Sequence, residues 1–123
     1  MCDLLVLDDD PLVRMTLIEA LGDSGLEVVG VADECEALAV LRSEHPLQVF
    51  VTDLDLGTRR NGFVVAAVAR LMFPQLPIIY ITGRPDSLIG RTLGTHETVL
   101  HKPFRTSELL AAVRTAIDGS LVH

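Results

Sequence analysis

The sequence is poor in aromatic residues, which make up only 4% of its 123 positions, so its core has to be assembled from Val, Leu, Ile and Ala. A chain of this length buries roughly two-thirds of its unfolded surface. The 49% hydrophobic fraction supplies a core of that kind without disulfides or a structural metal. Cysteine is scarce as well: Cys2 and Cys35 are too few for a disulfide framework and lack metal-ligand spacing, which fits a reducing compartment. Ten basic residues stand against 17 acidic ones, a net charge of −7. That balance argues against the basic footprint of nucleic-acid binding, and over most of the surface it means solubility. Long apolar runs are missing too, since the longest, Phe63 to Ala69, falls far short of the ~20 residues that span a bilayer. Asp3 and the triplet Asp8, Asp9, Asp10 interrupt the N-terminus before the apolar region of a signal peptide can develop. The expectation is a single cytoplasmic domain over residues 1–123, with neither membrane nor nucleic acid among its partners.

What is present is an alternation of short apolar runs and amphipathic stretches. Leu4–Leu7 is a strand stopped by acids. Asp10 caps a helix with Pro11 at its first position and Val13, Leu17, Ala20 and Leu21 on one face, ended by Gly22 and Gly25. Leu26–Val31 is a second strand, and Asp33 caps a helix through Ala37, Leu38 and Leu41 that stops before Pro46. Val49–Thr52 is a third strand ending in Asp53. After a polar loop from Gly57 to Gly62, Phe63–Met72 is an apolar helix stopped by Pro74, and Pro77–Thr82 is a fourth strand. A short fourth helix is expected around Ser87–Leu93, weakened by Gly90 and Gly94. Thr98–Leu100 is a fifth strand, and Thr106 caps a fifth helix with Leu109, Leu110, Val113 and Ile117 facing inward. Strands without polar alternation, interleaved with helices, imply a parallel sheet covered on both faces.

Open parallel sheets bind ligands at the carboxyl ends of their strands. Those ends carry Asp8 and Asp9 after the first strand, Asp53 after the third, Thr82 after the fourth and Lys102 after the fifth. Carboxylates gathered so closely repel one another unless a cation intervenes, and Mg²⁺ takes one or two of them while leaving room for a phosphate oxygen. Lys102 then offers positive charge to a second phosphoryl oxygen and Thr82 a hydrogen bond to a third. Phosphoryl transfer asks a protein mainly to position groups and neutralise charge, with Asp53 as the central nucleophile.

Taken in order, Val6-Leu7-Asp8-Asp9-Asp10-Pro11, Val51-Thr52-Asp53, Ile81-Thr82-Gly83 and Lys102-Pro103-Phe104 make the whole chain resemble the receiver domain of two-component response regulators. The resemblance implies a flavodoxin-like (βα)5 three-layer sandwich with a parallel sheet in the order 2-1-3-4-5. It implies Mg²⁺-dependent transfer of a phosphoryl group to Asp53 from a sensor histidine kinase or a histidine phosphotransfer protein. Asp9 and Asp53 are then direct Mg²⁺ ligands together with the main-chain carbonyl of Asp55, and Asp8 acts through water. Thr82 and Lys102 contact the phosphoryl group, and the Lys102–Pro103 peptide is cis. Gly83 and Arg84 flank the site. Output passes through protein contacts with a downstream partner, and the fourth helix, the fifth strand and the fifth helix form the surface that would serve this partner or a homodimer. With no output domain visible and the initiator Met leading straight into the domain, a stand-alone regulator is expected.

The sequence departs from that family in two places. The family usually carries Tyr or Phe three residues before the lysine, where this chain has Val99, and Gly57 and Gly62 imply one inserted residue around Arg59 and Arg60. Asp55 and Arg84 are expected to pair across the site and shield it. His45, His96, His101 and His123 lack transition-metal spacing and are expected at the surface, and Tyr80 in the core. Two other readings are open. Asp53-Leu54-Asp55 resembles the nucleophile motif of haloacid-dehalogenase-type phosphatases, but no acidic pair follows Lys102 as such an enzyme requires. A degenerate receiver acting as a phosphorylation-independent interaction module would ordinarily lack part of the set this chain keeps. A non-enzymatic phosphoacceptor with at most slow self-dephosphorylation is therefore the expectation.

Overall fold

The computed structural model describes residues 3–43, 47–55, 62–84 and 93–121. Five strands, β1 (Leu4–Leu7), β2 (Val28–Val31), β3 (Val49–Asp53), β4 (Ile78–Thr82) and β5 (Glu97–His101), form one parallel sheet in the order β2-β1-β3-β4-β5. Four helices are described: α1 (Pro11–Gly22), α2 (Glu34–Arg42), α3 (Gly62–Met72) and α4 (Thr106–Leu121), the last being the fifth helix of the sequence reading. The short helix expected around Ser87–Leu93 lies outside the described residues except for Leu93, and so do Arg59, Arg60, His45 and His123.

Strand residues alternate between two cores because successive side chains leave opposite faces of the sheet. Leu5, Leu7, Phe50, Ile78 and Tyr80 pack with Ala37 and Leu41 of α2 and with Phe63, Ala66 and Ala69 of α3. Leu4, Val6, Val49, Val51, Ile79 and Ile81 pack with Leu17 and Leu21 of α1 and with Leu109 and Val113 of α4. The central strands β1, β3 and β4 are buried throughout, which is why they read as unbroken apolar runs; the edge strands β2 and β5 are only partly covered. Tyr80 lies in the core, as expected.

Local chemistry sets the helix ends. The Asp10 carboxylate accepts the N–H groups of Leu12 (2.9 Å) and Val13 (3.3 Å) ahead of Pro11, and Asp33 accepts the N–H of Glu36 (2.9 Å). Gly25 turns the chain after α1 at φ +87°, a conformation costly to residues with a Cβ. Gly30 in β2 meets α1 closely: a Cβ there would lie 2.3 Å from Ile18 Cδ1. One expectation is corrected. Thr106 is the first residue of α4 rather than its cap; Arg105 precedes the helix, its N–H accepted by the Glu108 carboxylate at 3.1 Å. Val13 shares the face of Leu17 and Leu21, as its spacing predicts, but in the first turn of α1 it is 37% exposed. Among the described residues no helix is long and apolar enough to cross a membrane.

Candidate functional site

Strand register brings the chemistry to one end of the sheet. Leu7 pairs with Thr52, so Asp8 and Asp9 follow β1 beside Asp53 at the end of β3. Asp53 pairs with Ile81, which sets Thr82 next to it on β4. Lys102 follows β5, its N–H donating to the Thr82 carbonyl at 2.8 Å, and the Lys102–Pro103 peptide is cis, as the resemblance implied. Asp8, Asp9 and Asp53 each offer a carboxylate oxygen within 4.8 Å of the others. Asp8 and Asp53 are 2% and 3% exposed, whereas Asp9 is open to solvent, so the cluster is a half-sunken cup.

Each buried carboxylate is held by main-chain donors. Asp8 Oδ1 accepts the N–H of Asp10 at 2.9 Å, and Arg14 donates to the Asp8 carbonyl at 2.8 Å. Asp53 Oδ1 accepts the N–H of Asp55 at 2.7 Å, and Lys102 Nζ lies 3.0 Å from Asp53 Oδ2. Asp55 turns its carboxylate to the next strand: Oδ1 accepts the Thr82 hydroxyl at 2.8 Å, Oδ2 accepts the Gly83 N–H at 2.7 Å, and Lys102 Nζ stands 3.5 Å from Oδ2.

The electrostatics follow from this crowding. Burial pushes the Asp8 carboxyl up to about 6, only partly offset by the Asp10 N–H, and the neighbouring Asp53 charge adds to the rise. Burial acts in the same sense on Asp55, but the Gly83 N–H, the Thr82 hydroxyl and Lys102 outweigh it and hold this carboxyl below its usual range. Burial opposes the charge on Lys102, yet the hydrogen bond and charge of Asp53, with Asp55 and Asp8 behind it, raise the ammonium. Several carboxylates thus share one ammonium, and Lys102 is the only lysine in the chain. A compact, oxygen-only donor set with excess negative charge fits a hard divalent cation such as Mg²⁺ and would suit a softer transition metal poorly.

All the acceptor, ligand and switch residues expected from the sequence therefore meet at one place. The expected ion pair between Asp55 and Arg84 does not form, because Asp55 is already engaged by Thr82, Gly83 and Lys102; the Arg84 N–H instead donates to Thr82 Oγ1 at 3.0 Å. The sequence reading missed the supporting roles of Asp10 and Arg14 and an apolar rim. Leu12 and Met15 are 76% and 59% exposed on the first turns of α1, and a cleft of about 270 Å³ runs between Leu12, Val13 and Phe104. The available signal was phase: Leu12 and Met15 fall off the Leu17–Leu21 stripe.

The sequence matches the response regulator receiver domain over residues 4–114. It is 36% identical over 117 residues to the regulatory protein VirG of Agrobacterium fabrum, covering 92% of this chain and 45% of that protein. It is 35% identical to the response regulator MprA of Mycobacterium avium, covering 93% of this chain and 50% of the relative. The chain thus spans about half the length of these curated relatives. Among solved structures, a response regulator receiver protein from Sinorhizobium medicae superposes with a TM-score of 0.87 at 27% identity, covering 97% of this chain and 96% of the other. The receiver domain of NtrX from Brucella abortus superposes with a TM-score of 0.80 at 28% identity, covering 94% and 98%. Sequence match, sheet order and the acidic cup at the strand ends agree, and the chain belongs to the response regulator receiver domain family of two-component signalling.

Proposed function

We propose that Asp53 accepts a phosphoryl group from a phosphohistidine on a sensor kinase or phosphotransfer protein. A carboxylate oxygen of Asp53 attacks phosphorus, the P–N bond breaks, and the histidine leaves as it takes up a proton, giving an acyl phosphate on Asp53. Asp8, Asp9 and Asp53, with the main-chain carbonyl of Asp55, are the groups that would hold Mg²⁺. When bound, the cation supplies charge neutralisation to the transferring group. Lys102, whose Nζ lies 3.0 Å from Asp53 Oδ2, balances the charge of a second phosphoryl oxygen, and Thr82 offers its hydroxyl. The Asp10 N–H and Arg14 hold Asp8 in place at the rim. Leu12, Val13, Met15 and Phe104 form the apolar landing for the donor protein, beside the acids. The product acts through protein contacts, and its hydrolysis is slow self-dephosphorylation rather than turnover.

The observation that carries this reading is the meeting of three carboxylates within 4.8 Å with an ammonium 3.0 Å from the most central of them. Incubation with acetyl phosphate and Mg²⁺, read by intact mass, should add one phosphoryl group to the wild type and none to Asp53→Ala. A wild type that stays unmodified, or an Asp53→Ala variant modified equally, rejects the proposal.

A further inference from the structure

We infer that the Asp55 carboxylate occupies the phosphoryl subsite of the resting protein, so that a phosphoryl group arriving on Asp53 must displace it. The inference rests on the phosphoacceptor reading of Asp53. Three donors border Asp53 from the two strands beyond it: the Thr82 hydroxyl, the Gly83 N–H and the Lys102 ammonium. One carboxylate engages all three, Oδ1 at 2.8 Å from Thr82 Oγ1 and Oδ2 at 2.7 Å from the Gly83 nitrogen and 3.5 Å from Lys102 Nζ. A planar anion thereby makes the contacts that the oxygens of a phosphoryl group would need.

The two anions cannot share the Thr82 hydroxyl or the Gly83 N–H, although the three protons of the Lys102 ammonium can serve both. Thr82 is fully buried and its hydroxyl has a single proton, and an N–H serves one strong acceptor at a time. Phosphoryl oxygens placed at the same donors would also meet the Asp55 oxygens as like charges. The backbone of Asp55 is tied to the site by its own N–H, 2.7 Å from Asp53 Oδ1, whereas its side chain is 17% exposed, so a change of rotamer is the route by which the carboxylate would leave. Asp55 is a positioning residue on this account. It holds the Thr82 hydroxyl and the Gly83 N–H before any phosphoryl group arrives, and it opposes the arrival.

The test is titration with beryllofluoride in the presence of Mg²⁺, followed by ¹⁹F and amide NMR, on the wild type, Asp55→Asn and Asp55→Ala, with Asp53→Asn as control. Both Asp55 variants keep the main-chain carbonyl at that position. Half-saturation should fall about tenfold in Asp55→Ala and by less in Asp55→Asn, which retains an oxygen acceptor. In the unliganded, metal-free proteins the Gly83 amide proton should move upfield in both variants as its charged acceptor is lost. Variants that bind beryllofluoride no better than wild type overturn the inference while leaving Asp53 as the acceptor. A Gly83 resonance that does not move also overturns it. Absence of Asp53-dependent binding in every protein rejects the phosphoacceptor reading itself, and the inference with it.

Discussion

Tyr80 and Val99 are register partners across β4 and β5, on the sheet face covered by α2 and α3. The position three residues before Lys102, usually aromatic in this family, is therefore filled by valine while a ring stands beside it on the next strand. That ring is fully buried, lies 4.9 Å from Phe63 between centroids, and donates its hydroxyl to the Glu97 carboxylate. Glu97 also accepts the Gly94 N–H at 2.9 Å and pairs with Arg70 at 2.7 Å. A ring packed on its face and hydrogen-bonded at its tip is not free to change rotamer, so Tyr80 locks β4 to β5 and α3 instead of swinging.

Tyr80→Phe should lower stability by about 1–2 kcal/mol, because it leaves a half-buried carboxylate one donor short. Urea unfolding measures this, and the lifetime of the acyl phosphate should stay unchanged. Burial pushes the Glu97 carboxyl up, but Tyr80, Gly94 and Arg70 outweigh it and lower the group from its ordinary 4.5. Its contribution is therefore present above pH 4.5 and lost as pH falls through the lowered value. Glu97→Gln should flatten the acid limb of the stability curve.

Asp8 behaves in the opposite sense. Its carboxyl, ordinarily at 3.8, stands at about 6 in the fold, so the native state binds the proton more tightly than the unfolded chain. Metal-free stability should fall as pH rises from 3.8 to about 6, and Asp8→Asn should be the more stable protein at pH 7 by about 1–3 kcal/mol. The advantage should vanish below pH 4 and shrink when Mg²⁺ is added, as followed by thermal unfolding with and without chelator.

At the proposed Mg²⁺ site, the same carboxyl should link metal affinity to pH. Mg²⁺ has to compete with the Asp8 proton below about pH 6, so the apparent affinity should drop by up to tenfold per pH unit there. Calorimetric titration at pH 5 and pH 7.5 measures the difference, and Asp8→Asn should show a weaker dependence.

Leu12→Asp and Met15→Asp place charge on the exposed rim without touching Asp53, Thr82 or Lys102. Phosphorylation by acetyl phosphate should match wild type in both, whereas transfer from a phosphohistidine protein should slow by about tenfold or more. Equal slowing with both donors would place the defect in the acidic cup and not in docking.

The sequence alone was sufficient for the two-faced burial and the convergence of Asp8, Asp9, Asp53, Thr82 and Lys102, whereas the strand order came from the resemblance to receiver domains. Burial and convergence follow from elements that are contiguous in the chain: unbroken apolar runs demand a doubly covered parallel sheet, and such a sheet puts the residue after each strand at one end. Helix starts were legible for the same local reason at Asp10 and Asp33, and misplaced at Thr106 because Glu108 reaches back to Arg105. The tertiary structure decided which of the available partners each side chain takes. Asp55 bonds to Thr82 and Gly83, 27 and 28 residues away, rather than to Arg84, and Tyr80 finds Glu97 and not solvent. Such choices depend on distances across strands of fixed spacing and on which donor the packing leaves within reach. A linear pattern carries the identity of these groups, and only the folded geometry selects among their pairings.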